Sequence, residues 1–191
     1  MEALLDARLP VAAVISNRAD AAGLQTAAAR GIPTRVVEHQ SFASREAFDA
    51  ALGDEIDRFR PRLIALAGFM RVLTPGFVAR FEARLLNIHP SLLPAFPGLR
   101  THERALAAGV KVHGCTVHFV TADLDHGPIV IQAAVPVHRH DTAAELAARV
   151  LRQEHRIYPV AARWFLEDRL VVRGGLVGVK GDDAQLVMAT D

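Results

Sequence analysis

A mostly parallel, twisted α/β sheet flanked by helices, with an antiparallel C-terminal portion, is the fold that this sequence predicts. Three observations carry that reading. Short aliphatic runs, such as residues 11–16 and 63–67, alternate with helical stretches in the first half, which is the pattern of βα units. Those runs lack polar alternation, as strands buried on both faces do. From residue 113 to 137 the chain changes to two alternating strands around an acidic turn, which suits antiparallel pairing. With 191 residues, 51% of them hydrophobic, the chain is long enough for one substantial core and too short to require two domains. A single domain over residues 1–191 is therefore expected.

Taken in order, residues 2–8 read as the end of an amphipathic helix, and Pro10 separates it from the first aliphatic strand. Residues 17–20 make a turn, a helix follows over 21–30, and Gly31 stops it. A strand is centred on residues 34–37. Ser44 is placed to cap a helix that runs to Phe59, with Ala47 in its first turn. Pro61 breaks that helix before the strand at 63–67. After the strands of 113–137, Asp141 or Thr142 caps a long helix over 141–166, and the Gly-rich tail 170–187 reads as a hairpin. The chain carries no internal repeat and no low-complexity linker.

Charge and cysteine content narrow the classes. The 22 basic and 21 acidic residues give a net charge of +1 and are mixed along the chain, so no basic stripe marks a nucleic-acid or membrane-surface partner. Cys115 is the single cysteine. It excludes an intramolecular disulfide and points to a reducing cytoplasm. Its flanks, Gly114 and Thr116-Val117, suit a buried strand thiol better than a nucleophile. His113, Cys115 and His118 do not make a metal site, because alternation puts His118 on the face opposite the other two. No apolar run approaches a membrane span, and the first residues lack a signal-peptide pattern.

The chemistry concentrates in Leu-Leu-Asn-Ile-His-Pro-Ser-Leu-Leu-Pro at 85–94. Asn87 and His89 are two apart on a strand and so share a face. An aliphatic strand has no packing need for that pair. A reaction through a tetrahedral oxyanion does need it, one donor for the oxygen and an imidazole for the proton. A second polar cluster, residues 118–128, is a strand followed by an acidic turn closed by Gly127-Pro128. An acid on that turn, lying beside His89, favours the charged imidazole. Taken alone, His89 reads more readily as a satisfied histidine than as a catalyst, and Asp125 as an ordinary turn aspartate.

Four motifs in order then give a resemblance: AGFMRVLTP at 67–75, NIHPSLLPAFPG at 87–98, HGCTVHFVTADLDHGPIVIQ at 113–132 and QEHRIYP at 153–159. Together they resemble the phosphoribosylglycinamide formyltransferases, folate-dependent enzymes of purine biosynthesis, over the chain as far as about Leu170. The resemblance implies a Rossmann-like nucleotide-binding half over 1–84, a folate-binding and catalytic half over 85–191, and a cleft between them. It implies formyl transfer from 10-formyltetrahydrofolate to the amine of phosphoribosylglycinamide, with no metal. Asn87, His89 and Asp125 then stand at the catalytic positions. Arg45, Met70, Arg71, Val72, Leu73, Asn87, Ala122, Asp123, Leu124, Asp125 and Gly127 stand around the folate. Gly68, Met70, Ile88, Pro90 and Glu154 stand around the acceptor, Glu154 accepting from its ribose hydroxyls. Small molecules are the expected partners, and the state a monomer or weak homodimer.

Two departures modify the expectation. The family opens with a strand and a Gly-rich Ser-Asn loop that holds the substrate phosphate, and this sequence starts in the helix that follows. The resemblance therefore predicts two exposed strand edges, an incomplete phosphate site and poor turnover for these 191 residues. Arg100 stands where related enzymes often carry a histidine. An arginine does not shuttle protons at neutral pH, so its expected role is attraction of the acceptor phosphate or the folate tail. Three rivals stay open: a 10-formyltetrahydrofolate deformylase, which shares Asn, His and Asp; a methionyl-tRNA formyltransferase, which needs a basic surface; and a folate-binding module without catalysis. Pro90 and the QEHRIYP helix favour the glycinamide enzyme over the deformylase.

Overall fold

The computed structural model describes residues 1–189. Along the chain, α1 (Glu2–Asp6) leads to β1 (Val14–Ser16), α2 (Ala22–Ala29) to β2 (Thr34–Val36), α3 (Arg45–Phe59) to β3 (Ile64–Leu66) and α4 (Pro75–Arg80) to β4 (Leu85–His89). Then come α5 (Thr101–Ala107), the long strands β5 (Val112–Phe119) and β6 (Ile129–Pro136), and α6 (Ala143–Leu166). The strands β7 (Leu170–Arg173), β8 (Leu176–Val179) and β9 (Leu186–Met188) complete the described elements.

The helix ends follow local chemistry. Ser44 Oγ accepts from the Ala47 N–H at 3.1 Å, and Arg60 ends α3 in the left-handed region just before Pro61. Thr74 caps α4, with Pro75 at its first position. Thr142 and Glu145 make a reciprocal capping box at α6.

The sheet is mixed. β1 and β2 pair in parallel as a separate two-stranded sheet. The main sheet runs β3-β4-β5-β6-β9, with β3 parallel to β4, β5 antiparallel to both neighbours, and β9 parallel to β6. Alternating residues of β4 divide the core between two faces. Leu85 joins Phe48, Leu52, Phe77 and Phe81 from α3, α4 and the turn after it; Leu86 joins Leu146, Val150, Ile157 and Trp164 of α6. The Tyr158 hydroxyl of α6 reaches the carbonyls of Leu66 (2.8 Å) and Leu86 (2.9 Å), so one side chain ties the helix to β3 and β4 together.

Several expectations change. β1 covers only the second half of the aliphatic run at 11–16, because only residues 14–16 find a partner in β2. β1 and β3 are half-exposed rather than buried on both faces, since each lies at an open sheet edge. β5, read as an alternating strand, is buried from His113 to Phe119: it is central in the sheet and both of its faces are covered. The tail hairpin is confined to β7 and β8, which turn at Gly174 and Gly175. β9, within the stretch read as hairpin, instead joins the main sheet, because its backbone groups find the free edge of β6.

Tyr158→Phe tests the tie across β3 and β4. Removing a buried hydroxyl that serves two carbonyls should lower unfolding stability by about 1–2 kcal/mol in urea titrations, with the m-value unchanged.

Candidate active site

β4 is antiparallel to β5 with Asn87 opposite His118 and His89 opposite Thr116. This register puts the Asn87 amide 3.2 Å from His118 Nε2. The other nitrogen of that ring, Nδ1, lies 2.8 Å from the Phe119 carbonyl. A carbonyl only accepts, so Nδ1 carries the hydrogen, and Nε2 of the neutral ring is left to accept from the Asn87 NH2. Burial is the main cause holding the His118 pKa below its ordinary value, which keeps the ring in that neutral form. Asn87 is thus fixed with one amide hydrogen engaged and the second available.

His89 is buried at the end of β4. Its Nε2 lies 3.1 Å from the Phe96 carbonyl, and its Nδ1 lies 3.4 Å from Asp125 Oδ2. Both nitrogens therefore face oxygen acceptors, an arrangement in which the imidazolium satisfies both contacts. Asp125 Oδ2 also accepts from the Gly98 N–H at 2.8 Å, and Asp125 Oδ1 stands 4.0 Å from His118 Nε2. One carboxylate thereby ties the loop after β5 to the end of β4 and to the segment before α5. Asp125 takes this place with φ +55°, on a loop that Gly127 closes. A Cβ on Gly127 would fall 1.7 Å from the Phe119 carbonyl oxygen, so only glycine lets the loop press this closely on β5.

Behind the site, His113 is fully buried between Phe96 (ring centroids 5.8 Å apart) and His102 (5.3 Å apart). Burial, then the neighbouring His102, lowers its pKa to about 4. Cys115 is wholly buried and its thiol is pushed up by burial, as a structural strand thiol should be. Among the described residues, no three His, Cys, Asp or Glu side chains are grouped to hold a metal ion.

A narrow slot of about 90 Å³ opens beside Asn87. Arg71, Val72 and Leu73 form one wall, and residues 120–125 form the other, with Leu66, Phe69 and His118 completing it. Of the residues expected around a folate, Arg71, Val72, Leu73, Asn87, Ala122, Asp123, Leu124 and Asp125 line this slot. Gly127 acts from behind as the loop hinge, while Met70 is 77% exposed and Arg45 stands exposed at the first turn of α3. Leu66, Phe69, His118, Val120 and Thr121 line it without having been expected from the sequence. For His118 the signal was its strand position beside Asn87's partner register, which sequence alone does not supply.

The expected acceptor residues spread along the strand ends. Gly68 follows β3 with φ +65° and lines the large cavity between β1 and β3. Ile88 points away from Asn87 and His89 into the α6-side core, leaving only its backbone toward the site. Pro90 is half-buried after His89. Glu154 is half-buried on α6, and burial raises its pKa, opposed by the nearby Met1 amino group. Arg100 starts α5 with φ +54° and is exposed.

Two measurements follow. Gly127→Ala should displace the loop that carries Asp125, lowering ligand affinity or turnover at least tenfold while the chain stays folded by circular dichroism. His113, protonating in the unfolded chain near 6.5 and in the folded one near 4, binds more protons unfolded, so its contribution is complete above about pH 6.5 and is lost as pH falls toward 4. Urea midpoints should drop across that window, and His113→Phe should reduce the slope by about one proton.

A profile of the formyl transferase family matches residues 2–162. The chain is 52% identical to phosphoribosylglycinamide formyltransferase of Escherichia coli over 160 residues, covering 84% of this chain and 76% of that protein. The crystal structure of glycinamide ribonucleotide transformylase 1 from Symbiobacterium toebii superposes with a TM-score of 0.90 at 50% identity, covering 93% of this chain and 87% of that one. A formyltetrahydrofolate deformylase from Pseudomonas syringae shares the fold more distantly, with a TM-score of 0.83 at 27% identity, covering 94% of this chain and 62% of that one. The chain belongs to the formyl transferase family and, within it, to the phosphoribosylglycinamide formyltransferases.

Proposed function

We propose that this chain transfers the formyl group of 10-formyltetrahydrofolate to the amine of phosphoribosylglycinamide, in purine biosynthesis. The observation that carries the chemistry is the convergence of an oriented amide, Asn87, and a carboxylate-paired imidazole, His89, at the mouth of the slot between residues 71–73 and 120–125. When the amine attacks the formyl carbon, the carbonyl oxygen becomes an oxyanion. The free amide hydrogen of Asn87 is the donor for it, and the positive charge of a protonated His89, whose Nδ1–H is directed to Asp125, stabilises it. Asp125, beside Nδ1, stabilises the positive ring and is the acceptor through which the amine's surplus proton can leave, directly or by a held water. Collapse of the intermediate expels the folate N10, which takes up a proton, and leaves the formamide on the acceptor.

The slot suits a flat heterocycle. Val72 and Leu124 stand exposed at its rim on two different loops, Met70 is exposed beside Arg71, and residues 121–125 offer backbone donors and acceptors. On this reading Gly68, just after β3, and the half-buried Glu154 of α6 contribute to the acceptor side. The fully buried lone cysteine suits a reducing cytoplasm.

The test is a steady-state assay of tetrahydrofolate release with and without phosphoribosylglycinamide. The parent chain should show slow release that depends on the acceptor. Asn87→Ala, His89→Ala and Asp125→Ala should each lose about 10²–10⁴-fold in kcat. Release that is independent of the acceptor, with free formate as product, would instead identify a deformylase.

A further inference from the structure

Gln132 lies outside the slot, yet strand register joins it to His89. His89 stands opposite Thr116 on β5, and Thr116 stands opposite Gln132 on β6, so the three side chains form a row on one face of the sheet. Thr116 is wholly buried and Gln132 is half-buried.

The hydrogen bonds at the middle of this row have a readable polarity. Thr116 Oγ1 meets the Ser91 carbonyl at 2.7 Å, the Leu93 N–H at 3.0 Å and the side-chain Nε2 of Gln132 at 2.9 Å. A hydroxyl gives one hydrogen and accepts two. The Ser91 carbonyl takes the hydrogen, and the two lone pairs accept from Leu93 and Gln132. Gln132 Nε2 also donates to the Leu93 carbonyl at 2.9 Å, so both of its amide hydrogens are used. Turning that amide over would set its oxygen against the Leu93 carbonyl, which fixes the donor end.

What these bonds hold is a segment without helix or strand, residues 90–99. Leu93, near its middle, has both its N–H and its C=O bonded to side chains of β5 and β6. Within the segment Ser91 Oγ donates to the Ala95 carbonyl at 2.6 Å, and Ala95 N–H donates to the Leu92 carbonyl at 3.0 Å, so residues 91–95 shift together. Phe96 follows with φ +54°, which a non-glycine residue keeps where its surroundings impose it. Its carbonyl lies 3.1 Å from His89 Nε2.

That carbonyl selects a nitrogen. Because a carbonyl only accepts, His89 Nε2 keeps its hydrogen in the neutral and the charged ring alike. The hydrogen that comes and goes is then the one on Nδ1, beside Asp125. Without the Phe96 carbonyl, a neutral ring is free to place its hydrogen on Nδ1 and leave Nε2 bare.

We infer that Gln132 is a positioning residue for formyl transfer: through Thr116 and residues 91–95 it sets the Phe96 carbonyl that fixes the His89 tautomer. Its kinetic consequence rests on the formyl-transfer reading, whereas the tautomer does not.

The experiment compares Gln132→Met, which keeps the side-chain length and removes both donors, with Gln185→Met. Gln185 Nε2 donates to the carbonyls of Val130 (2.7 Å) and Val177 (3.0 Å), away from the slot, so it controls for lost hydrogen bonds alone. Both variants should lower the urea midpoint. Only Gln132→Met should lower kcat, by about ten- to hundredfold, with KM for either substrate within about twofold of the parent. Nitrogen-15 spectra of the neutral His89 ring should show hydrogen on Nε2 in the parent and in Gln185→Met, and a mixture of tautomers in Gln132→Met. Thr116→Ser, which retains the hydroxyl, should behave as the parent, and Thr116→Val as Gln132→Met. An unchanged tautomer in Gln132→Met, or an equal loss of kcat in Gln185→Met, would overturn the proposal. Should Gln132→Met not fold, the parent decides: slow exchange of both Gln132 side-chain amide protons with the Nε2 tautomer supports the role, and fast exchange or the Nδ1 tautomer refutes it. A parent that shows no acceptor-dependent release defeats the formyl-transfer reading instead, and the tautomer comparison then decides the positioning role by itself.

Discussion

The register of β4 against β5 is the constraint on which the site depends. Setting Asn87 opposite His118 makes one imidazole the partner of the amide, and the Phe119 carbonyl settles which nitrogen of that imidazole accepts. A slip of one residue would turn Asn87 and His89 to the opposite face, into the aliphatic cluster under α6. The same register ends β5 where residues 120–128 can fold back over the end of β4. Asp125 then reaches His89 and the Gly98 N–H from a position that requires Gly127 to lie against β5. The proposed site is therefore held by strand pairing and one glycine contact.

The surroundings divide into a rigid half and an open half. Behind His89, the rings of Phe96, His113 and His102 pack edge to face, and burial keeps His113 neutral. An uncharged, packed backing leaves Asp125 as the near charge that His89 meets. In front, Met70, Val72 and Leu124 stand exposed on loops that carry little core packing. Loops of that kind open at low free-energy cost.

Much of this was legible in the sequence, for identifiable reasons. The shared face of Asn87 and His89 follows from strand periodicity, and Ser44, Pro61 and Thr142 mark helix ends by chemistry that acts within a few residues. The role of His118 was not legible, because it rests on a pairing between residues 31 apart in sequence and on a local carbonyl that selects the tautomer. Likewise β9 read as part of a hairpin, since its partner edge is in β6, more than fifty residues earlier. The aliphatic runs of β1 and β3 announced strands, but the burial on both faces that they suggested is not observed. That they are half-exposed reflects the gap between them, a property of the sheet that neither run carries alone.

The most direct test of the account is nitrogen-15 NMR of the histidine rings across pH 5.5 to 8. Hydrogen-bond polarity predicts that the neutral His118 ring carries its proton on Nδ1, and that Asn87→Ala changes the shift of its Nε2 by removing the donor. A neutral His118 ring protonated on Nε2 would contradict it, because that nitrogen could then not accept from Asn87, and the orientation of the amide toward the reacting oxygen would have to arise in some other way.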